Sequence, residues 1–219
     1  MKPLLFMPSP RSIPDVTNSW QYLPYDKYIV KNRLEKQAYQ NGRDFFMDHD
    51  EYTHLVICPD DIIVDYDSME ILRRDVEEYE FNNICGVGMV DEESTAFCCK
   101  PLGTPFDATG VGSYYYKIND KLRDNCEVIP NEITQVGFTG FMIQWLDREL
   151  VKKLSFEGGC EDGKGCMDIK MSEEMEKLEI PYIIEPHAFF THLRFEQKRE
   201  LKKWLKNGDH KGYTVHVTI

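Results

Sequence analysis

The chain has 219 residues, of which 42% are hydrophobic and 29% are charged, and this composition predicts a packed core and excludes global disorder. The formal charge of −12 argues against a general nucleic-acid-binding protein, because such proteins need a dominant basic face. No stretch approaches the ~18 uninterrupted apolar residues of a membrane span, and no secretory signal is recognisable. We therefore expect a cytosolic protein that consists mainly of one domain.

The first part of the chain alternates predicted strands and helices. Short apolar runs indicate strands that are covered on both faces, as in a parallel sheet. The strands are expected at 2–7, 28–30, 53–58 and 84–90, and the helices at 31–47 and from a capping box at Asp67 onwards. The segment between the first two strands is predicted to be a loop. This alternation predicts an α/β layer architecture, in which ligands bind beyond the carboxyl ends of the strands.

The second part of the chain is less regular. Residues 91–130 show no clear helix, and residues 133–145 predict one strand. Helices are expected at 147–154 and 168–178, a strand at 182–185 and a last helix at 196–205. The seven cysteines cannot all pair within one chain and contain no Cys-x-x-Cys, so we do not expect a zinc site.

The strongest chemical signal is the acidic pair Asp60-Asp61 directly after the predicted strand at 53–58. Two ionised carboxylates at a dry strand end repel each other unless a cation lies between them. Oxygen ligands suit magnesium, manganese or calcium. The alternative is a solvated acidic turn, since Asp is common in turns.

Two further residues are candidates for chemistry. Asp168 lies at a predicted helix start after a Gly-rich loop, where it can accept a proton from a hydroxyl nucleophile or simply cap the helix. His192 is flanked by aromatic residues, and it can complete a metal site begun by carboxylates or be a hydrogen-bonded, partly buried histidine.

The order of these motifs resembles that of the GT-A glycosyltransferases, particularly the inverting, family-2-like group, over roughly residues 3–194. That family has an Asp-x-Asp motif followed by an apolar residue, and residues 59–62 here read Pro-Asp-Asp-Ile. The family's later Glu-Asp motif, which holds the catalytic base, is represented by Met-Asp at 167–168. Residues 136–143 are similar to its Gly-rich acceptor-side strand. The length is similar to that of small GT-A enzymes of archaea and their viruses.

The resemblance implies a GT-A fold, in which helices flank a mixed, mainly parallel central sheet. The glycosyltransferase domain would span 1–194, with a nucleotide-sugar-binding half at 1–90 and an acceptor-side half at 91–194. Residues 195–219 would form a basic helix and a tail.

The resemblance also implies a metal-dependent transfer of a sugar, with inversion, from a nucleotide-diphosphate sugar to an acceptor hydroxyl of a glycan, protein or lipid. Asp61 would bind Mn²⁺ or Mg²⁺ together with Asp60 and His192, and Asp168 would be the catalytic base. The residues that would contact the donor lie at strand ends and in the adjoining loop, and they are Pro8, Ser9, Arg11 and Asp60.

Three other functions stay open. A sugar nucleotidyltransferase normally has a Gly-rich phosphate loop after the first strand, whereas residues 7–11 contain no glycine. A catalytically idle nucleotide- or sugar-binding protein would tolerate the altered acidic motifs. A metal-stabilised structural protein would bind metal without nucleotide. The basic face predicted at 196–205 either contacts anionic lipid at a membrane surface or is merely solvated.

Overall fold

The structure is a computed structural model that describes residues 1–9, 13–91, 96–104, 113–115, 127–159, 166–194 and 212–219. The elements of the first half are β1 (Pro3–Ser9), α1 (Pro14–Gln21), β2 (Asp26–Lys31), α2 (Glu35–Asp48), β3 (His54–Ile57), β4 (Ile62–Ile63), α3 (Tyr66–Tyr79) and β5 (Asn83–Val87). Short strands follow in the middle of the chain, at β6 (Cys99–Lys100), β7 (Tyr114–Tyr115), β8 (Glu127–Val128), β9 (Thr134–Val136), β10 (Phe138–Thr139) and β11 (Gln144–Asp147). The remaining elements are α4 (Arg148–Lys153), α5 (Met167–Lys177), β12 (Tyr182–Phe189), β13 (Thr191–His192) and β14 (Tyr213–Val217).

An eight-stranded sheet forms the centre of the molecule, in the order β14-β2-β1-β3-β11-β5-β12-β9. Strands β2, β1, β3, β5 and β12 run in one direction, and β14, β11 and β9 run against them. The predicted mixed, mainly parallel α/β sheet is therefore confirmed. The carboxyl ends of the neighbouring parallel strands β1, β2 and β3 lie side by side. Most of the candidate residues lie beyond these strand ends.

Helices cover both faces of the sheet. Helix α2 packs on β1 and β2 and contacts α4 and α5, whereas α3 packs on the other face against β5 and β12. The α2–β1 contact is close because Gly42 lies on the ring of Phe6, where an added Cβ would come within 2.4 Å of the ring. Larger side chains at residue 42 would push α2 away from the sheet, so this glycine sets the position of the helix.

Helix α2 is anchored at its C-terminal end by Arg148. The guanidinium of this side chain donates hydrogen bonds to the carbonyl oxygens of Phe46 (2.7 Å), Met47 (3.3 Å) and Tyr52 (3.1 Å), and also to that of His49. The last carbonyl groups of a helix have no partner within the helix, and a cation also interacts favourably with the negative end of the helix dipole. Arg148 thereby ties α2 to the start of α4.

Three local predictions were wrong. Residues 14–21, predicted as loop, form helix α1, which starts with Pro14, a residue that is well tolerated in the first turn. Helix α3 is capped by Asp65, whose carboxylate accepts a hydrogen bond from the Ser68 N–H at 2.8 Å, and not by Asp67. Residues 133–145 form β9, β10 and the start of β11 rather than one strand, because each pairs with a different partner.

The C-terminal residues of the chain belong partly to the sheet. Strand β14 pairs antiparallel with β2 and forms one border of the sheet. The helix predicted at 196–205 lies outside the described residues, and so does most of the irregular segment at 91–130. None of the described helices combines the length and the apolar character that crossing a membrane requires.

The described cysteines are of two kinds. Cys58, Cys85, Cys98 and Cys99 are free thiols, and Cys166 is disulfide-bonded. Burial raises the pKa of the Cys85 thiol to about 11, so it is protonated at neutral pH. Cys85 therefore contributes to the core as a small apolar residue.

Candidate active site

The acidic pair lies in the turn that connects β3 to β4. Asp60 and Asp61 are only 3% and 5% exposed, which is low for carboxylates. The turn is fixed by the two-stranded ladder between β4 and β13, in which His192 pairs with Ile62. The N–H of Leu193 also donates to the carbonyl oxygen of Asp61 at 2.8 Å. Backbone pairing thus places His192, which is about 130 residues further along the chain, next to the acidic turn.

Asp61 and His192 form a close pair. The distance between His192 Nε2 and Asp61 Oδ2 is 3.4 Å, and both side chains are largely buried. Burial by itself would lower the pKa of His192, but the hydrogen bond and the negative charge of Asp61 raise the pKa above its ordinary value. Without another cation at this position, the imidazole therefore gains a proton readily and compensates the carboxylate.

Asp168, at the start of helix α5, lies near enough to the same pair for the charges of both residues to act on it. It is the second residue of that helix, and the N–H of Ile169 donates to its Oδ1 at 2.8 Å. Burial raises the pKa of Asp168 to about 6, and the charge of Asp61 contributes to the rise, while the neighbouring backbone N–H groups and His192 oppose it. The side chain is surrounded by protein atoms but keeps part of its surface accessible to solvent. A carboxyl group with a pKa near 6 can take up a proton at neutral pH.

Of the residues predicted to contact the donor, all but Arg11 lie at or near the carboxyl ends of β1 and β3. Pro8 and Ser9 end β1 and lie in register with Val30 and Lys31 of β2, next to the turn that carries Asp60. Burial lowers the pKa of Lys31 at the end of β2, and the charge of Asp60 opposes this. Arg11 lies outside the described residues.

The predicted metal-binding set is assembled only in part. Within the described ranges, no group of three or more His, Cys, Asp and Glu side chains is arranged to hold a metal ion. Of the set Asp60, Asp61 and His192, the last two form the close pair described above. Any ion at this position would need further ligands from a substrate or from solvent.

Two residues near this site were not recognised in the sequence. Glu35 and Tyr39 lie one turn apart on α2, and Glu35 Oε1 accepts a hydrogen bond from the N–H of Met167, the residue before Asp168. The charges of Glu35, Asp168, Asp61 and Asp60 all raise the pKa of Tyr39, after the larger effect of burial. The only signal in the sequence was the spacing of four residues, which places both side chains on one helix face.

Comparison with known proteins gives a fold but no family. No protein-family model matches the chain, and no curated protein matches it in sequence. Among solved structures, A197 from STIV, a viral protein, matches with a TM-score of 0.57 and 13% identity, over 85% of this chain and 82% of that chain. At this identity the similarity establishes a shared fold, that of a mixed α/β domain with a large central sheet flanked by helices.

Proposed function

We propose that this protein is a metal-dependent glycosyltransferase that moves a sugar from a nucleotide-diphosphate sugar to an acceptor hydroxyl with inversion. The observation that carries the proposal is the convergence of Asp61, His192 and Asp168, which are far apart in the sequence. Asp61 and His192 lie beyond the carboxyl end of β3, where ligands bind in α/β sheets, and the charges of both act on Asp168. The GT-A resemblance of the sequence assigns roles to the same residues.

In the proposed reaction the acceptor oxygen attacks the anomeric carbon of the donor sugar. The acceptor O–H bond breaks and its proton passes to the carboxylate of Asp168. A new bond forms between the anomeric carbon and the acceptor oxygen. The bond to the diphosphate breaks, and its electron pair leaves with the diphosphate. A positioned general base contributes about 10²–10⁴-fold to such a step, and a pKa near the working pH makes it effective.

The pair of Asp61 and His192 fits a divalent ion. Two ligands that are each about 2.1 Å from one ion lie roughly 3–3.5 Å apart, and the 3.4 Å between the two side chains agrees with this. Magnesium is usually held by one or two carboxylates together with substrate phosphates, so a two-residue protein site is chemically adequate. When bound, the ion would neutralise the charge that develops on the leaving diphosphate. Asp61 and His192 would hold it, and Asp60 would contact the donor.

A catalytically idle nucleotide- or sugar-binding protein is the second candidate. It is favoured by the lack of a complete metal-binding group within the described part of the chain. Such a protein would bind nucleotide sugars without consuming them. Turnover is therefore the property that separates the two candidates.

The experiment is a thermal-shift screen of UDP-, dTDP- and GDP-sugars with and without Mn²⁺, followed by a transfer assay with the donors that bind. A ligand that binds only the native state raises its apparent stability. We expect a nucleotide sugar to raise the melting temperature more in the presence of Mn²⁺, and we expect slow release of nucleoside diphosphate in the transfer assay. A protein that no nucleotide sugar stabilises would refute the proposal, and binding without turnover would favour the idle protein.

A further inference from the structure

Two histidines lie close together where helix α2 ends beside the border strand of the sheet. His49 directly follows the last residue of α2, and His216 belongs to β14. Their ring centroids are 6.1 Å apart. The ring of Phe45 contacts both, with centroid distances of 4.0 Å to His49 and 4.8 Å to His216. His216 is exposed and His49 is partly exposed, so solvent can reach both rings.

The hydrogen positions on both rings follow from their partners. Nδ1 of His49 lies 2.7 Å from the carbonyl oxygen of Phe45, which can only accept, so Nδ1 carries the hydrogen. Nε2 of His216 lies 3.0 Å from the hydroxyl oxygen of Tyr52, and that hydroxyl donates its one hydrogen to Asp26 at 2.9 Å. Nε2 of His216 is therefore the donor to Tyr52. In the neutral rings, the lone pairs are left on Nε2 of His49 and Nδ1 of His216.

Asp26 fixes the direction of this chain of hydrogen bonds. Its carboxylate forms an ion pair with Lys2 at 3.1 Å and accepts a hydrogen bond from the N–H of Ile219 at 2.9 Å. An ionised carboxylate has no hydrogen to give, so the hydroxyl of Tyr52 must donate to it. A metal-binding histidine almost always donates its other ring N–H to a carbonyl, a carboxylate or water, which fixes the ring orientation. His49 has such a partner directly, and His216 is linked to a carboxylate through Tyr52.

The spacing of the two rings fits one metal ion. Zn–N bonds of about 2.0–2.1 Å place the centroids of two imidazoles on the same ion roughly 5–6.5 Å apart, and the observed 6.1 Å lies within this range. Imidazole nitrogen suits Zn²⁺, whereas Mg²⁺ and Mn²⁺ prefer oxygen ligands. Within the described residues, no group of three or more His, Cys, Asp and Glu side chains is arranged for a metal. A zinc ion here would therefore have two protein ligands and water in its other positions.

We propose that Nε2 of His49 and Nδ1 of His216 bind one Zn²⁺ ion, and that this ion ties the border strand β14 to the end of α2. The spacing of the cysteines does not predict a zinc site, whereas this site uses histidines that only the fold brings together. The inference is independent of the proposed function. The 14 residues of α2, about 21 Å of helix, separate His49 from Glu35, which contacts the start of α5.

The experiment measures Zn²⁺ binding by calorimetry in a His192→Ala background, which lacks the ring of the candidate active site. His49→Ala and His216→Ala are each added to this background. The matched control is His187→Ala, because His187 is also exposed but bonds to Glu185 instead. We expect His49→Ala and His216→Ala each to weaken Zn²⁺ binding at least about 10-fold and the control to leave it unchanged. Zn²⁺ should also raise the melting temperature of the background protein, and this rise should be lost in the two variants.

Two further measurements do not depend on the alanine variants. Nitrogen NMR of the metal-free protein should find the ring hydrogen on Nδ1 of His49 and on Nε2 of His216. Tyr52→Phe keeps both ligands but removes the acceptor of the His216 N–H, so it should weaken Zn²⁺ binding about 10-fold.

Four results would each overturn the inference. They are a His192→Ala protein that does not bind Zn²⁺, an affinity that survives the loss of either ring, the opposite ring tautomers, and unchanged binding in Tyr52→Phe. None of these results concerns nucleotide sugars, so the proposed transferase function would stand or fall separately.

Discussion

Replacement of Asp168 by Asn is expected to slow sugar transfer strongly and to stabilise the fold at neutral pH. Burial raises the pKa of this carboxyl from 3.8 to about 6. This shift means that the ionised carboxylate lowers the free energy of unfolding by roughly 3 kcal/mol relative to the protonated form. Asn is nearly isosteric, and its oxygen can still accept the hydrogen bond from the Ile169 N–H. The gain in the free energy of unfolding is therefore at most about 3 kcal/mol above pH 6.

The size of this stabilisation depends on pH, and its sign does not change. Below about pH 4 the carboxyl is protonated in both the folded and the unfolded chain, so the substitution changes little. Between about pH 4 and 6 the unfolded chain loses the proton first, and wild type becomes progressively less stable relative to Asp168→Asn. Above about pH 6 the difference is constant.

The assay is urea unfolding of wild type, Asp168→Asn and Glu176→Gln at pH values from 4 to 8. Glu176→Gln is the control, because Glu176 is an exposed acid on the same helix and should show no such trend. Sugar transfer by Asp168→Asn should be about 10²–10⁴-fold slower with donor binding kept. A difference in stability that does not vary with pH, or a destabilised Asp168→Asn protein, would refute the electrostatic reasoning. Normal transfer by this variant would refute the role as base.

Three further outcomes are expected. The kcat/KM of wild type should fall about tenfold for each pH unit below about 6, as Asp168 takes up its proton, and a flat profile from pH 4.5 to 7 would contradict a base at this residue. His192→Ala should weaken Mn²⁺ binding by at least about 10-fold, as measured by calorimetry. If the variant bound Mn²⁺ as tightly as wild type does, His192 would not be a metal ligand. Arg148→Met should lower the free energy of unfolding by about 2–4 kcal/mol, because the carbonyl oxygens of Phe46 and His49 lose their donor, and hydrogen exchange should show the loss at the end of α2.

The sequence predicted most elements of the first half of the chain. Its apolar runs and helical spacing are local properties, and strands β1, β2, β3 and β5 formed close to where these patterns lie. The acidic turn after β3 and the helix start at Asp168 were also recognised locally. Helix α1 was missed because Pro14 and Trp20 were interpreted as loop residues, although Pro is favourable in the first turn of a helix.

The sequence alone therefore determined the fold class, the acidic turn and the individual candidate residues, since each depends on neighbours within a few positions. The tertiary structure decided which of them meet. Strand β11 enters the sheet antiparallel between β3 and β5, and the β4–β13 ladder aligns His192 with the turn that carries Asp61. Pairings over such distances in the chain are selected by the burial of the whole sheet, which no local pattern encodes.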